Sequence, residues 1–117
     1  IKYAIHEVLR SEAKEYLPGR VQQLAKEYGF SYKTVKVKNM KTRWGSCSSQ
    51  NNINLNIQLM RFPQKYIDYI IMHELLHTKI KNHGSGFWKE LNLICPEAKQ
   101  LARTIRRANP MDMVMVE

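Results

Sequence analysis

The sequence predicts an α+β fold in which a small antiparallel or mixed sheet packs against helices. Three observations carry that expectation. Apolar residues recur at helical spacing over most of the chain, two short stretches alternate apolar with polar residues, and a turn-rich polar segment separates those two stretches. The 117 residues suffice for one hydrophobic core and are too few for two comfortable domains. The expectation is therefore one domain over residues 1–117, with a segment upstream of Ile1 left open.

Residues 3–28 follow the helical pattern, with Ile5, Val8, Leu9 and Ala13, then Val21, Leu24, Ala25 and Tyr28. Pro18-Gly19 interrupts them and predicts two helices, or one that breaks and resumes, because proline lacks an N–H and clashes with the preceding turn. Gly29 suits the stop. In TVKVKNM, Val35 and Val37 alternate with Lys36 and Lys38, the pattern of a half-buried strand. INLNIQL predicts a second strand, with Ile53, Leu55, Ile57 and Leu59 set against Asn54, Asn56 and Gln58. Between them RWGSCSSQNN reads as a turn. After Phe62-Pro63 the helical signal returns through Tyr66, Ile67, Ile70, Ile71, Leu75, Leu76 and Ile80. Two further helices are expected over residues 87–94 and 96–108.

The net charge is +9, from 19 basic and 10 acidic residues, which favours anionic partners such as nucleic acid, nucleotides or acidic peptides without choosing among them. The cations are spread from Lys33, Lys36, Lys38, Lys41 and Arg43 to Arg103, Arg106 and Arg107. No recognition helix stands out, and a solvated basic face is the plain reading. No run approaches the roughly 18 apolar residues of a membrane span and no leader opens the chain, which points to no membrane partner and to the cytoplasm. Cys47 and Cys95 have no CxxC spacing and read as free thiols. Nothing in the residues speaks to oligomeric state.

The chemistry concentrates in HELLH, residues 73–77. On a helix, positions four apart share a face, so His73 and His77 can direct two imidazoles at one point. Glu74, rotated by about 100° from His73, falls beside that point and suits a general base. Two histidines four apart also occur by chance in ordinary helices. Here, however, the surrounding YIDYIIMHELLHTKI is apolar around most of the helix, and burying His73, Glu74 and His77 without partners costs several kcal/mol. A metal ion removes that cost.

A catalytic zinc needs a third protein ligand and one open position. His83 supplies the spacing HExxHxxxxxH, but a continuous helix would carry it about 9 Å past His77, so the helix must end between them. Asn82, which tolerates a left-handed conformation, and the following Gly84, Ser85 and Gly86 offer the break, with Ser85 able to cap the next helix. Glu90 and Glu97 are acidic alternatives for the third ligand, and as solvated helix charges they are the weaker ones. His6 reads as a surface residue.

The combination of KTRWGSCSS, INLN, YIDYIIMHELLH and NHGSGFW resembles the YgjP-like metallopeptidase domain, a zincin family related to the SprT-like and WLM domains. The resemblance is clear over residues 35–96. It implies a zincin-like fold with a small sheet beside the HExxH helix, a zinc cofactor held by His73, His77 and His83, and Glu74 as the catalytic residue. The activity implied is that of a zinc-dependent hydrolase, a metallopeptidase acting on peptides or proteins through a zinc-bound water activated by Glu74. The metzincin endopeptidases share the ligand spacing but carry a glycine where Ile80 stands, so the turn here must come later. Their methionine beneath the metal has no assignable counterpart, and Met111, Met113 and Met115 read as ordinary packing residues.

Within RWGSC, Arg43 and Trp44 either line a substrate groove or form a tight turn with a buried tryptophan. Phe87-Trp88 reads as core packing for the helix after His83. Tyr66, Tyr69, Asn82 and Arg43 are all open as the group that stabilises an oxyanion. Two other functions remain in view. One is a metal-dependent nucleotide or phosphoester hydrolase in which Arg43 or Lys41 holds phosphate. The other is a basic nucleic-acid-associated module with a structural zinc, against which three histidine ligands beside a glutamate argue.

Overall fold

The computed structural model describes residues 2–108. Met111, Met113 and Met115 lie outside the described residues. One helix, α1 (Lys2–Tyr28), opens the chain and runs through Pro18 without the expected break. Its core stripe, Leu9, Ala13, Leu17, Val21 and Leu24, repeats almost every four residues and is buried along its length. Leu17 and Val21 flank Pro18 and are fully buried, each contributing about 1.5–3 kcal/mol, which offsets the roughly 3 kcal/mol that an internal proline costs. Gly29 ends the helix with φ 76°, a left-handed conformation that glycine adopts without penalty.

Three strands follow: β1 (Thr34–Lys38), β2 (Gly45–Cys47) and β3 (Asn52–Asn56). The sheet order is β1-β3-β2, with β3 parallel to β1 and antiparallel to β2, so the sheet is mixed. Val35 and Val37 face inward and Lys36 and Lys38 outward, as the alternation predicts. The segment read as a turn contains β2. It pairs Gly45 with Leu55, Ser46 with Asn54 and Cys47 with Ile53, and three polar or small residues carry no periodic signal of their own. The turn is confined to residues 48–51. There Ser48 Oγ accepts from the N–H groups of Gln50 and Asn52, and Asn51 takes the left-handed conformation at φ 66°.

The second expected strand is also shorter than its alternation. At Asn56 the chain turns into a 3₁₀ segment, Ile57–Arg61. The Asn56 side chain causes the switch: its oxygen accepts from the Gln58 N–H, and its amide donates to the carbonyls of Met40 and Arg43. Ile57, Gln58 and Leu59 are then all fully buried, and the period of two is lost.

Among the described residues three helices follow: α2 (Gln64–Leu76), α3 (Ser85–Ile94) and α4 (Ala98–Arg106). Helix α2 stops four residues before Ile80. It packs against β2 and against the other three helices, and one hydrophobic cluster joins all of these elements. The carboxylate of Asp68 on α2 receives Nε and an Nη of Arg20 on α1 at 2.9 and 2.8 Å, a two-pronged tie between the helices. His6, expected at the surface, is half-buried, with Nε2 enclosed and unpartnered among the described residues. Cys47 and Cys95 are free. No described helix is long and apolar enough to cross a membrane.

Candidate metal centre

His73 and Glu74 lie in the last turn of α2, and His77 is the residue that caps it. Because His77 keeps helical dihedrals, φ −64° and ψ −15°, its imidazole stays one turn from that of His73, with ring centroids 4.9 Å apart. The helix then tightens. The N–H groups of Thr78 and Lys79 bond back three residues, to Leu75 and Leu76.

This tightening brings the main-chain oxygen of Ile80 to 2.9 Å from His77 Nδ1. A carbonyl can only accept, so Nδ1 carries the proton and Nε2 presents its lone pair. Beyond it, Lys81 Nζ donates to the Ser48 carbonyl and to Asn51 Oδ1, which pins the loop to the β2–β3 turn. Asn82 does not use the left-handed conformation expected of it. Its Oδ1 instead accepts from the Gly84 N–H at 3.0 Å. Gly84, rather than Ser85, caps α3, and no side chain bonds there.

The loop thereby returns His83 to the two helix histidines. Its Nε2 lies 2.9 Å from Nε2 of His77 and 3.2 Å from Nε2 of His73, and the three histidines form a group whose ligand atoms all fall within 4.8 Å. Two nitrogens each bound at 2.0–2.1 Å to one tetrahedral ion stand about 3.3 Å apart, so the spacing fits a shared metal. The Tyr69 hydroxyl, 3.4 Å from His73 Nδ1, faces the far side of that ring. Beneath all three imidazoles lies Phe87, fully buried and stacked on His77 with centroids 4.5 Å apart and planes at 21°.

Burial, and then the neighbouring His77 and His83, hold the His73 imidazole down to about 3, and burial also lowers His77. Both shifts favour the neutral imidazole, the form a metal requires. Glu74 is only 6% exposed, and burial pushes its carboxyl up to about 8, with Arg43 pulling the other way. Its side chain rests on Gly45. A Cβ at that glycine would stand 3.1 Å from Glu74 Cγ and Oε2, so β2 can approach this closely only without a side chain there.

A cavity of about 450 Å³ opens over the site, lined among others by Arg43, Trp44, Tyr69, His73, Glu74 and His83. The two readings of Trp44 therefore coexist. It lines the cavity, and it is also buried, with its ring edge-on to Phe62 and Nε1 donating to the Ala108 carbonyl at 3.2 Å. Tyr69 and Arg43 reach the cavity, whereas Tyr66 and Asn82 do not line it. Glu90 and Glu97 are exposed and stand outside the histidine group. The local sequence carried no sign that Trp88 and Arg106, from α3 and α4, would complete the far wall.

Three convergent imidazoles, a buried glutamate beside them and an open cavity, set on helices flanking a small mixed sheet, define a zincin-like metallohydrolase. The solved structures similar to this chain include two metallopeptidase zymogens. Abylysin of Pyrococcus abyssi is 25% identical with a TM-score of 0.64, over 73% of this chain and 87% of that one. Jannalysin of Methanocaldococcus jannaschii is 29% identical with a TM-score of 0.62, over 74% of this chain and 90% of that one. No curated protein sequence matches. The chain belongs to the YgjP-like metallopeptidase domain family, whose model matches residues 1–108. It is a metallopeptidase.

Proposed function

We propose that the metal is zinc, held by His73, His77 and His83, and that Glu74 is the general base of peptide-bond hydrolysis. The observation that carries this reading is the convergence of three imidazole Nε2 atoms at 2.9 and 3.2 Å beside a buried glutamate. Three imidazoles with no fourth His, Cys, Asp or Glu in the group, among the described residues, match a catalytic rather than a closed structural zinc site. Zinc bound there supplies a Lewis acid that polarises a carbonyl and brings the pKa of a bound water to about 7.

The chain's own groups do the rest. Beside a bound cation, which offsets the burial that otherwise keeps its carboxyl protonated, Glu74 accepts the proton of the attacking water and passes it to the departing amine nitrogen, so one carboxyl serves both halves of the reaction. The close approach of β2 at Gly45 packs against that carboxyl and holds it in place. Arg43 is exposed at the cavity and is a substrate contact, placed to receive a substrate oxygen. Trp44, fixed by Ala108 and Phe62, shapes the cavity against which the peptide lies. The substrates are peptides, in line with the family.

The test combines metal content by elemental mass spectrometry with cleavage of a peptide library. The wild type should carry about one zinc per chain and cleave, His83→Ala should lose most of the zinc, and Glu74→Gln should keep the zinc and lose cleavage. Cleavage retained in Glu74→Gln would rule out the assigned base.

A further inference from the structure

A second groove, of about 680 Å³, runs between α3 and α4 and shares Trp88, Ala102 and Arg106 with the catalytic cavity. Its walls carry Lys89 from α3 and Lys99, Arg103 and Arg106 from α4, and among the described residues no carboxylate lines it. Residues 99, 103 and 106 follow the i, i+4, i+7 spacing, so the three cations form one stripe, while Ala98, Leu101, Ala102 and Ile105 form the buried face of the same helix. All four cations are exposed, and none pairs with a described carboxylate. Four like charges around one concave surface repel one another and gain by admitting an anion.

We propose that this groove is a specificity subsite that binds acidic side chains of the peptide substrate, flanking the bond presented to Glu74. The inference rests on the peptidase reading and deepens it. Continuity decides the occupant. A chain leaving the catalytic cavity past Trp88 and Arg106 enters the groove directly, whose volume lies within the usual range for ligand sites, about 300–1,000 Å³. Single-stranded nucleic acid is the less suited polyanion, because its grooves interleave cations with repeated aromatic platforms and, among the described residues, Trp88 is the one aromatic in this lining. The arrangement also gives a use to part of the +9 charge that composition alone left unassigned.

The experiment measures binding, so it does not depend on turnover. Glu74→Gln protein loaded with zinc is titrated by fluorescence anisotropy with labelled twelve-residue peptides. These share one Ala/Leu/Gly centre and end, on one side or the other, in Asp-Glu-Asp or Asn-Gln-Asn. One acidic-ended peptide should bind about tenfold more tightly than its neutral counterpart, as expected from two or more partly exposed charge pairs.

Adding Lys99→Glu and Arg103→Glu should remove that preference. Adding Lys36→Glu and Lys38→Glu, the same change in net charge on the outer face of β1, should alter it less than twofold. Equal binding of acidic and neutral peptides, absence of peptide binding, or equal loss in both double variants would overturn the subsite. Tighter binding of a twelve-residue oligothymidylate through Lys99 and Arg103 would reassign the groove to nucleic acid. A failure of the wild type to cleave the library, by contrast, counts against the peptidase reading and leaves this comparison of affinities intact.

Discussion

Cγ and Oε2 of Glu74 each stand 3.1 Å from the point that a Cβ on Gly45 would occupy, and Ile70 Cγ2 stands at the same distance. The glycine of RWGSC is thus explained by a close approach between a strand and a helix. β2 forms the wall against which the proposed base rests, and that wall has no room for a methyl group.

Gly45→Ala should therefore shift Glu74 by a few tenths of an ångström while leaving the three histidines in place. Loss of kcat by about tenfold or more is expected, because small misplacements of a reacting group weigh heavily on rate. Zinc content should remain near one per chain. Parallel kinetics and elemental analysis check this, and a variant that lost zinc together with activity would show that the glycine supports the metal site instead.

Asn82→Ala removes the side-chain bond that holds the loop at Gly84 and leaves the helices untouched. Since that loop delivers His83, zinc affinity should fall about tenfold, within the range seen when groups that orient ligands are lost, with little change in thermal stability. Competition with a chromophoric chelator measures the affinity. Unchanged affinity would mean that the Lys81 contacts alone set the loop.

The stability of the metal-free protein should depend on pH with a definite sign. His73 is held down to about 3 and His77 is also lowered from 6.5, so the unfolded chain takes up protons there that the folded chain refuses. Their contribution is lost as pH falls below about 6.5. Glu74 acts in the opposite sense. Raised from 4.5 to about 8 by burial, with Arg43 opposing, it keeps a proton in the folded state that the unfolded state releases, and stability falls as pH rises through that window. Between 6.5 and 7.5 the last unfolded-state imidazole protons leave and partly oppose Glu74, so a net decline smaller than the roughly 1.4 kcal/mol per pH unit of a single group is expected there. Denaturant unfolding with EDTA at pH 6.5 and 7.5 checks it, and Glu74→Gln should abolish the decline.

The site was more legible in the sequence than the sheet, for reasons that individual residues make plain. His73 and His77 are related by helical spacing alone, and the helix stop between His77 and His83 follows from reach. The stop itself was misplaced. The helix closes by tightening at residues 78 and 79, and Asn82 acts through its side chain rather than through a left-handed backbone. β2 escaped notice because Gly45, Ser46 and Cys47 resemble a turn, and only pairing with β3 makes them a strand. Pro18 suggested a break that the buried stripe on either side of it overrules. Trp88 and Arg106 could not be placed at the cavity from local pattern, because their convergence depends on how α3 and α4 pack on α2.

Phe87 combines two roles that the sequence presented as one. It is fully buried, as a core residue should be, yet its ring also forms the floor under His73, His77 and His83 and stacks on His77. Phe87→Leu keeps an apolar side chain of smaller volume, so a loss of about 1–3 kcal/mol in stability is expected from packing alone. A pure core residue would show nothing more. If the ring positions the imidazoles, zinc affinity should fall about tenfold as well, even well below the unfolding transition, because His77 is then free to tilt about its bond to the Ile80 carbonyl. Chelator competition on the folded variant separates the two effects, and an affinity equal to that of the wild type would confine Phe87 to the core.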